Sequence, residues 1–129
     1  MGVYLENSTA GAAMLRIKRV YDAPAPDDGK RYLVDRLWPR GLSKLELNLD
    51  GWHKHLSPST ELRQWFGHEP AKWDEFKRRY ADELASRQVG HLLERLRDEA
   101  AAGNVTLLFA AKDLEHNHAL VLRDFIAGA

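Results

Sequence analysis

The sequence contains no cysteine. That excludes thiol catalysis, disulfides and cysteine-based zinc sites, and leaves the redox compartment open. It also has no net charge, with 19 basic and 19 acidic side chains. A neutral chain lacks the global basic field that drives bulk binding to nucleic acid or to an acidic membrane surface. No apolar run approaches the roughly 20 residues of a spanning helix. Residues 1–13 lack the basic start and apolar core of a signal peptide, so the cytoplasm is the expected location. There is no Gly-x-Gly-x-x-Gly, Walker loop, Gly-x-Ser-x-Gly or His-Glu-x-x-His, and no pattern that asks for a cofactor. Internal repeats and low-complexity segments are absent as well.

What is present fits one domain. At 129 residues the chain can bury roughly 68% of its unfolded surface and needs no staple. Residues 1–13 are small and polar, without periodicity, and read as a loosely held tail before a single α/β domain over 14–129. The organising stretch is Val105 to Phe125: an apolar run, a polar turn, then an amphipathic run. An unbroken apolar run suggests a strand buried on both faces. The polar turn Lys112–His118 then lies at a strand's C-terminal end, where open α/β sheets bind ligands.

Earlier segments supply the neighbours that such a strand requires. Leu15–Val20 alternates and reads as a strand; Tyr32–Leu37 reads as a second, stopped by Trp38-Pro-Arg-Gly41. Residues 42–56 suggest a short helix followed by an extended piece. Ser57-Pro58 reads as an N-cap and first helical position, with Gly67 ending that helix. Trp73, Phe76, Tyr80 and Leu84 form a helical stripe, and Val89, Leu92, Leu93, Leu96 and Ala100 another. The expected fold is a three- to four-stranded sheet, at least partly parallel, with about four to five helices packed on it.

Two constellations can carry chemistry. Lys30 to Lys44 holds five cations and one acid, and Arg36 and Arg40 flank the Trp-Pro turn. Guanidinium forks suit phosphate and carboxylate, and the proline limits the entropy lost in holding them. The structural alternative is that Arg36 pairs with Asp35 or with a helix acid while Trp38 plugs the core. The late turn is the second. The last helix directs free N–H groups into it, Asn117 or Asp113 can cap it, and Lys112 and His118 can meet an anion or move a proton. Asp113, Glu115, His116 and His118 can also be read as metal ligands. His-x-His leads into a helix here, where positions two apart diverge, so no metal site is expected. Trp65 and Trp73 sit on core stripes, whereas Trp38 and Trp52 lie off them and can line a pocket or a partner surface. His68 follows the Gly67 stop and is placed to reach a site or to cap.

Arg19-Val-Tyr-Asp22, Leu33-Val-Asp-Arg-Leu-Trp-Pro-Arg-Gly41, Pro58-Ser59, Leu62-Arg63-x-Trp-Phe66, His68 and Asn117-His-Ala119 resemble the bacterial domain-of-unknown-function family numbered 488. The resemblance covers about residues 15 to 126. It implies a small cytoplasmic α/β protein and one pocket joining the Trp-Pro-Arg turn to the late turn; it supplies no reaction. Another branch of that family carries Cys and Cys-His-Arg around the late strand and turn. This chain has Phe109 to Lys112 and Asn117-His118 there, so chemistry tied to those cysteines does not transfer.

The leading expectation is therefore a cationic pocket for a small anionic ligand, phosphate or carboxylate. Arg36, Arg40, Trp38, Arg63, Lys112 and Asn117 are the candidate binding residues, and His118 and His68 the candidate proton carriers if turnover occurs. The alternative is a non-enzymatic partner-binding or regulatory module built on Trp38 and Trp52. Nucleic-acid binding through Lys30–Lys44 is a weaker third reading. Oligomeric state is not legible.

Overall fold

Val105–Phe109 is β4, and all five of its residues are buried. In a computed structural model that describes residues 15–128, this strand lies between the two early ones. The sheet order is β1-β4-β2-β3, with β1 Leu15–Arg19, β2 Lys30–Leu33 and β3 Gly51–Trp52, and every pairing is parallel. A two-residue pleat period then divides β4 between two cores. Val105, Leu107 and Phe109 face the larger one, and Leu108 faces a smaller one with Val20, Leu33 and Leu47. The expected tail over residues 1–13 lies outside the described residues.

Five α-helices follow the expected order among the described residues: α1 Lys44–Leu47, α2 Thr60–Phe66, α3 Trp73–Ser86, α4 Gly90–Ala102 and α5 His118–Ala127. None is long and apolar enough to cross a membrane. The stripes on α2 to α5 cover the larger core, where Phe66 stacks on Phe76 at 4.4 Å and the buried Tyr80 hydroxyl donates to the Leu56 carbonyl. Trp38 and Trp52 cover the smaller core edge to face at 5.5 Å. Their indole N–H groups donate to the carbonyls of Leu42 and Asp35.

Two boundaries differ from the sequence reading. Strand β2 ends at Leu33, not Leu37. The backbone carries its ladder one step further, with the Val34 N–H on the Leu108 carbonyl. At the next position the Asp35 carboxylate, rather than a carbonyl, accepts the Ala110 N–H at 3.0 Å. Trp52 holds the Asp35 carbonyl at the same time, so the chain leaves the sheet. The second correction concerns the start of α2. Ser59, not Ser57, is the N-cap, accepting from the Leu62 N–H at 3.1 Å. Ser57 instead closes the 3₁₀ turn Lys54–Leu56, with its hydroxyl donating to the Lys54 carbonyl.

Candidate functional site

Because all strands run parallel, the segments leaving them gather on one edge. Residues after β1, β2, β3 and β4 together enclose a cavity of about 400 Å³ at the C-terminal edge of the sheet. Arg36, Trp38, Arg40 and Arg63 line it, as do His68, Asn117 and His118. Seven of the eight residues singled out in the sequence thus meet in one place. Lys112 is the exception: it is exposed and does not line the cavity.

The charge in this cavity is lopsided. Among the described residues, Asp35 is the sole carboxylate in the lining, against the guanidinium groups of Arg36, Arg40 and Arg63. Asp35 does not neutralise them. One of its oxygens accepts the Ala110 N–H, and the other lies 3.1 Å from His118 Nε2. Among the described residues, none of the three arginines forms an ion pair. The pairing of Arg36 with Asp35 or a helix acid, considered from sequence, is therefore not what the fold adopts. Arg36 is half-buried, donates one Nη2 bond of 3.3 Å to the Pro58 carbonyl, and keeps a buried Nε–H without a partner. Arg40 and Arg63 are exposed.

Opposite these cations stands the start of α5. Asn117 is its N-cap: the side-chain oxygen accepts the Leu120 N–H at 3.0 Å, and the amide nitrogen donates to the Asp113 carbonyl. Its polar atoms therefore shape the wall. His118 follows. Its Nε2 lies 3.1 Å from the Val34 carbonyl, so that nitrogen carries the proton. The same N–H points away from Asp35 Oδ1, which stays buried without a hydrogen bond despite its closeness. The Tyr80 ring meets the imidazole at 64°, with centroids 6.2 Å apart.

Neighbouring contacts hold the rim. His116 is bonded to Asp113 at 2.9 Å and stands edge-on to Trp73. Hydrogen bonds from the Glu115 N–H and then from His116 keep the Asp113 carboxyl below its ordinary range. Arg19 donates to the carbonyls of Ala110 and Ala111, both at 2.9 Å, fixing the chain that leaves β4. The Tyr21 hydroxyl donates to the Arg40 carbonyl at 3.1 Å. His68 is exposed at the rim with φ +59°, a left-handed conformation that glycine tolerates and histidine rarely adopts.

Asp35 is the residue that sequence reasoning missed. It stood beside Arg36 in an apparent strand, so it read as a counter-ion. Its signal was an acid at the end of a strand, immediately before a Pro-containing turn, where a side chain can replace a ladder carbonyl. Arg19 and Tyr21 entered only through the Arg19-Val-Tyr-Asp22 string of the family resemblance, with no chemical role attached.

No solved structure matches this chain. The uncharacterized protein YeaO of Escherichia coli (strain K12) is 46% identical over 112 residues, covering 87% of this chain and 96% of that protein. Two mycobacterial proteins, the uncharacterized Rv3073c of Mycobacterium tuberculosis (strain ATCC 25618 / H37Rv) and Mb3100c of Mycobacterium bovis (strain ATCC BAA-935 / AF2122/97), are each 40% identical over 114 residues, covering 88% of this chain and 94% of theirs. The family model for the inactive DUF488-N3 subclade matches residues 14–129, nearly all of the chain, and this protein belongs to that family.

Proposed function

We propose that this protein binds a small anion, phosphate or carboxylate, in the cavity at the C-terminal edge of its sheet, and does so without turning it over. The observation that carries the reading is three arginines without ion pairs around one cavity, where the one acid among the described residues gives one oxygen to a backbone amide and pairs with none of them. Unneutralised charge of one sign at a concave, partly apolar site favours a ligand of the other sign. Arg36 contributes the half-buried fork, Arg40 and Arg63 close from the rim, and Trp38 and Phe66 supply apolar wall. The match over residues 14–129 supports reading those residues as a single domain.

The hydroxyls favour binding over covalent turnover. Among the described residues two line the cavity, Tyr21 and Ser57, and both donate to backbone carbonyls rather than to an imidazole. Covalent catalysis needs a nucleophile activated by an adjacent base. The family's description as inactive agrees with this. His68 then serves as a donor to the ligand, while the His118 Nε2–H is held by the Val34 carbonyl and that ring shapes the wall.

Thermal unfolding against inorganic phosphate and a set of carboxylates tests the proposal. A ligand at about 100 times its dissociation constant stabilises the fold by about 2.7 kcal/mol, enough to raise the midpoint by several degrees. A rise with one anion class that disappears in Arg40→Ala is expected. A flat response to every anion sinks the proposal and favours a partner-binding module. That surface would centre on the exposed Leu37 and Tyr21, since Trp38 and Trp52 are half-buried against each other.

A further inference from the structure

Arg36 borders a second cavity as well as the first. This second space, about 500 Å³, is lined by Arg36, His55, Arg87 and His91, with Val89 and Leu92 as apolar floor. Among the described residues, no carboxylate lines it. In a chain with equal numbers of acids and bases, two cavities that share an arginine and, among the described residues, hold one acid between them are a marked segregation of charge.

We infer that the ligand carries two anionic groups joined by a short linker, one in each cavity, with Arg36 between them. This rests on the anion-binding reading of the first cavity and specifies what fills it. The second cavity has a rigid frame. Arg87 donates to the carbonyls of His55 and Ser57 at 2.9 and 2.6 Å and pairs with Glu83 at 3.0 Å, so its charge is taken and its role is to hold the wall. The donors left for a ligand are the exposed imidazoles of His55 and His91 and the shared guanidinium. The start of α4 lies beside them: Val89, its N-cap, makes no side-chain cap bond, and the first turn holds no acid to offset the helix dipole. Arg36 makes one long hydrogen bond, from Nη2 to the Pro58 carbonyl, and no ion pair, so its charge is left for a ligand in either space.

A guanidinium presents N–H groups on two edges of one plane and can hold an oxyanion on each. Diphosphates and dicarboxylates share that requirement. Calorimetric titration at fixed ionic strength separates them, using phosphate against pyrophosphate and butyrate against glutarate. The expected result is that one dianion binds at least tenfold more tightly than its single-anion counterpart. The double variant His55→Ala/His91→Ala should erase that surplus and leave single-anion affinity unchanged. Both side chains are exposed, so the variant keeps the fold, which circular dichroism verifies. Single-anion binding with no surplus for either dianion overturns the inference and leaves the first cavity's role standing. So does a surplus that survives in the double variant. Failure of every probe to bind overturns both readings.

Discussion

The two ends of the sheet use the same residue types in opposite ways. Beside the start of β2, Asp28 and Arg31 are 3% exposed each and fully engaged. Arg31 donates to Asp28 at 2.6 Å and to the carbonyls of Leu47 and Asn48. Asp28 also accepts from Lys18 and from the Ala25 N–H, and its own carbonyl accepts from the Thr106 hydroxyl. At the far end of the same strands Asp35 and Arg36 are sequence neighbours that do not pair, and each keeps a buried atom without a partner. A buried polar network is retained for structure when every member is satisfied. Unsatisfied members in an otherwise complete fold point to a group that is met by something else.

The contrast is broken most severely at Arg31. Replacing it with Met takes three kinds of bond from the network at once and leaves the Asp28 carboxylate with Lys18 alone among cations. Losing one partner of a buried pair costs about 3–5 kcal/mol. Urea denaturation of Arg31→Met should show a loss of that order. A loss below about 1 kcal/mol would mean that the network contributes little and that the two ends do not differ in kind.

Acid probes the same end more gently. Burial pushes the Asp28 carboxyl up, but the Ala25 N–H, Lys18 and Arg31 together outweigh it and hold the group below its ordinary value. Its folded value is thus depressed relative to the unfolded chain. The stabilisation it supplies is present in full above the unfolded value and is lost as pH falls through the folded one. The urea midpoint should therefore decline below about pH 4, and Asp28→Asn should flatten part of that decline. A wild-type and variant slope that superimpose would remove Asp28 from the acid response.

Arg36→Met is the matching change at the other end, and it should behave differently. It deletes one long hydrogen bond and one unsatisfied donor. Removing a buried donor that has no partner relieves a desolvation penalty, so stability should stay within about 1 kcal/mol of the parent in either direction. Anion affinity should fall at least tenfold. If Arg36→Met instead unfolds the protein as Arg31→Met does, Arg36 is a structural tie and the proposed site loses its centre.

Legibility from sequence divides along local and distant causes. The apolar run 105–109 and the Gly67 stop were readable because each is decided within a few residues, and the cap of the last helix was narrowed to Asn117 or Asp113, of which the fold uses Asn117. The density of cations around Trp38-Pro39 pointed to Arg36 and Arg40 for the same reason. The end of β2 was not readable, because the group that stops it is an amide 75 positions away. Nor was the choice between Ser57 and Ser59. Both stand in cap-like contexts, and Glu83 on α3 decides it by accepting from the Ser59 N–H and hydroxyl across 24 residues. Lys112 shows the converse: it has the right chemistry in the right turn, but its exposed side chain lies outside the cavity lining.

His68 offers the smallest effect and the sharpest discrimination. It follows Gly67, and both have left-handed φ values, +59° and +55°. A left-handed conformation costs a non-glycine residue roughly 1–2 kcal/mol, while glycine loses about 0.5–1 kcal/mol in backbone entropy. His68→Gly should therefore raise stability by about 0.5–1 kcal/mol, seen as a small rise in the thermal midpoint without ligand. If the strained histidine is kept for its position at the rim, the same variant should bind anions more weakly, so that the ligand-induced rise shrinks while the baseline climbs. A purely structural His68 would move the baseline alone. Strain that lowers stability and improves binding is the pattern expected where a side chain is held in place for a ligand. Opposite movements of the two midpoints in one variant would tie this backbone outlier to the unsatisfied end of the sheet.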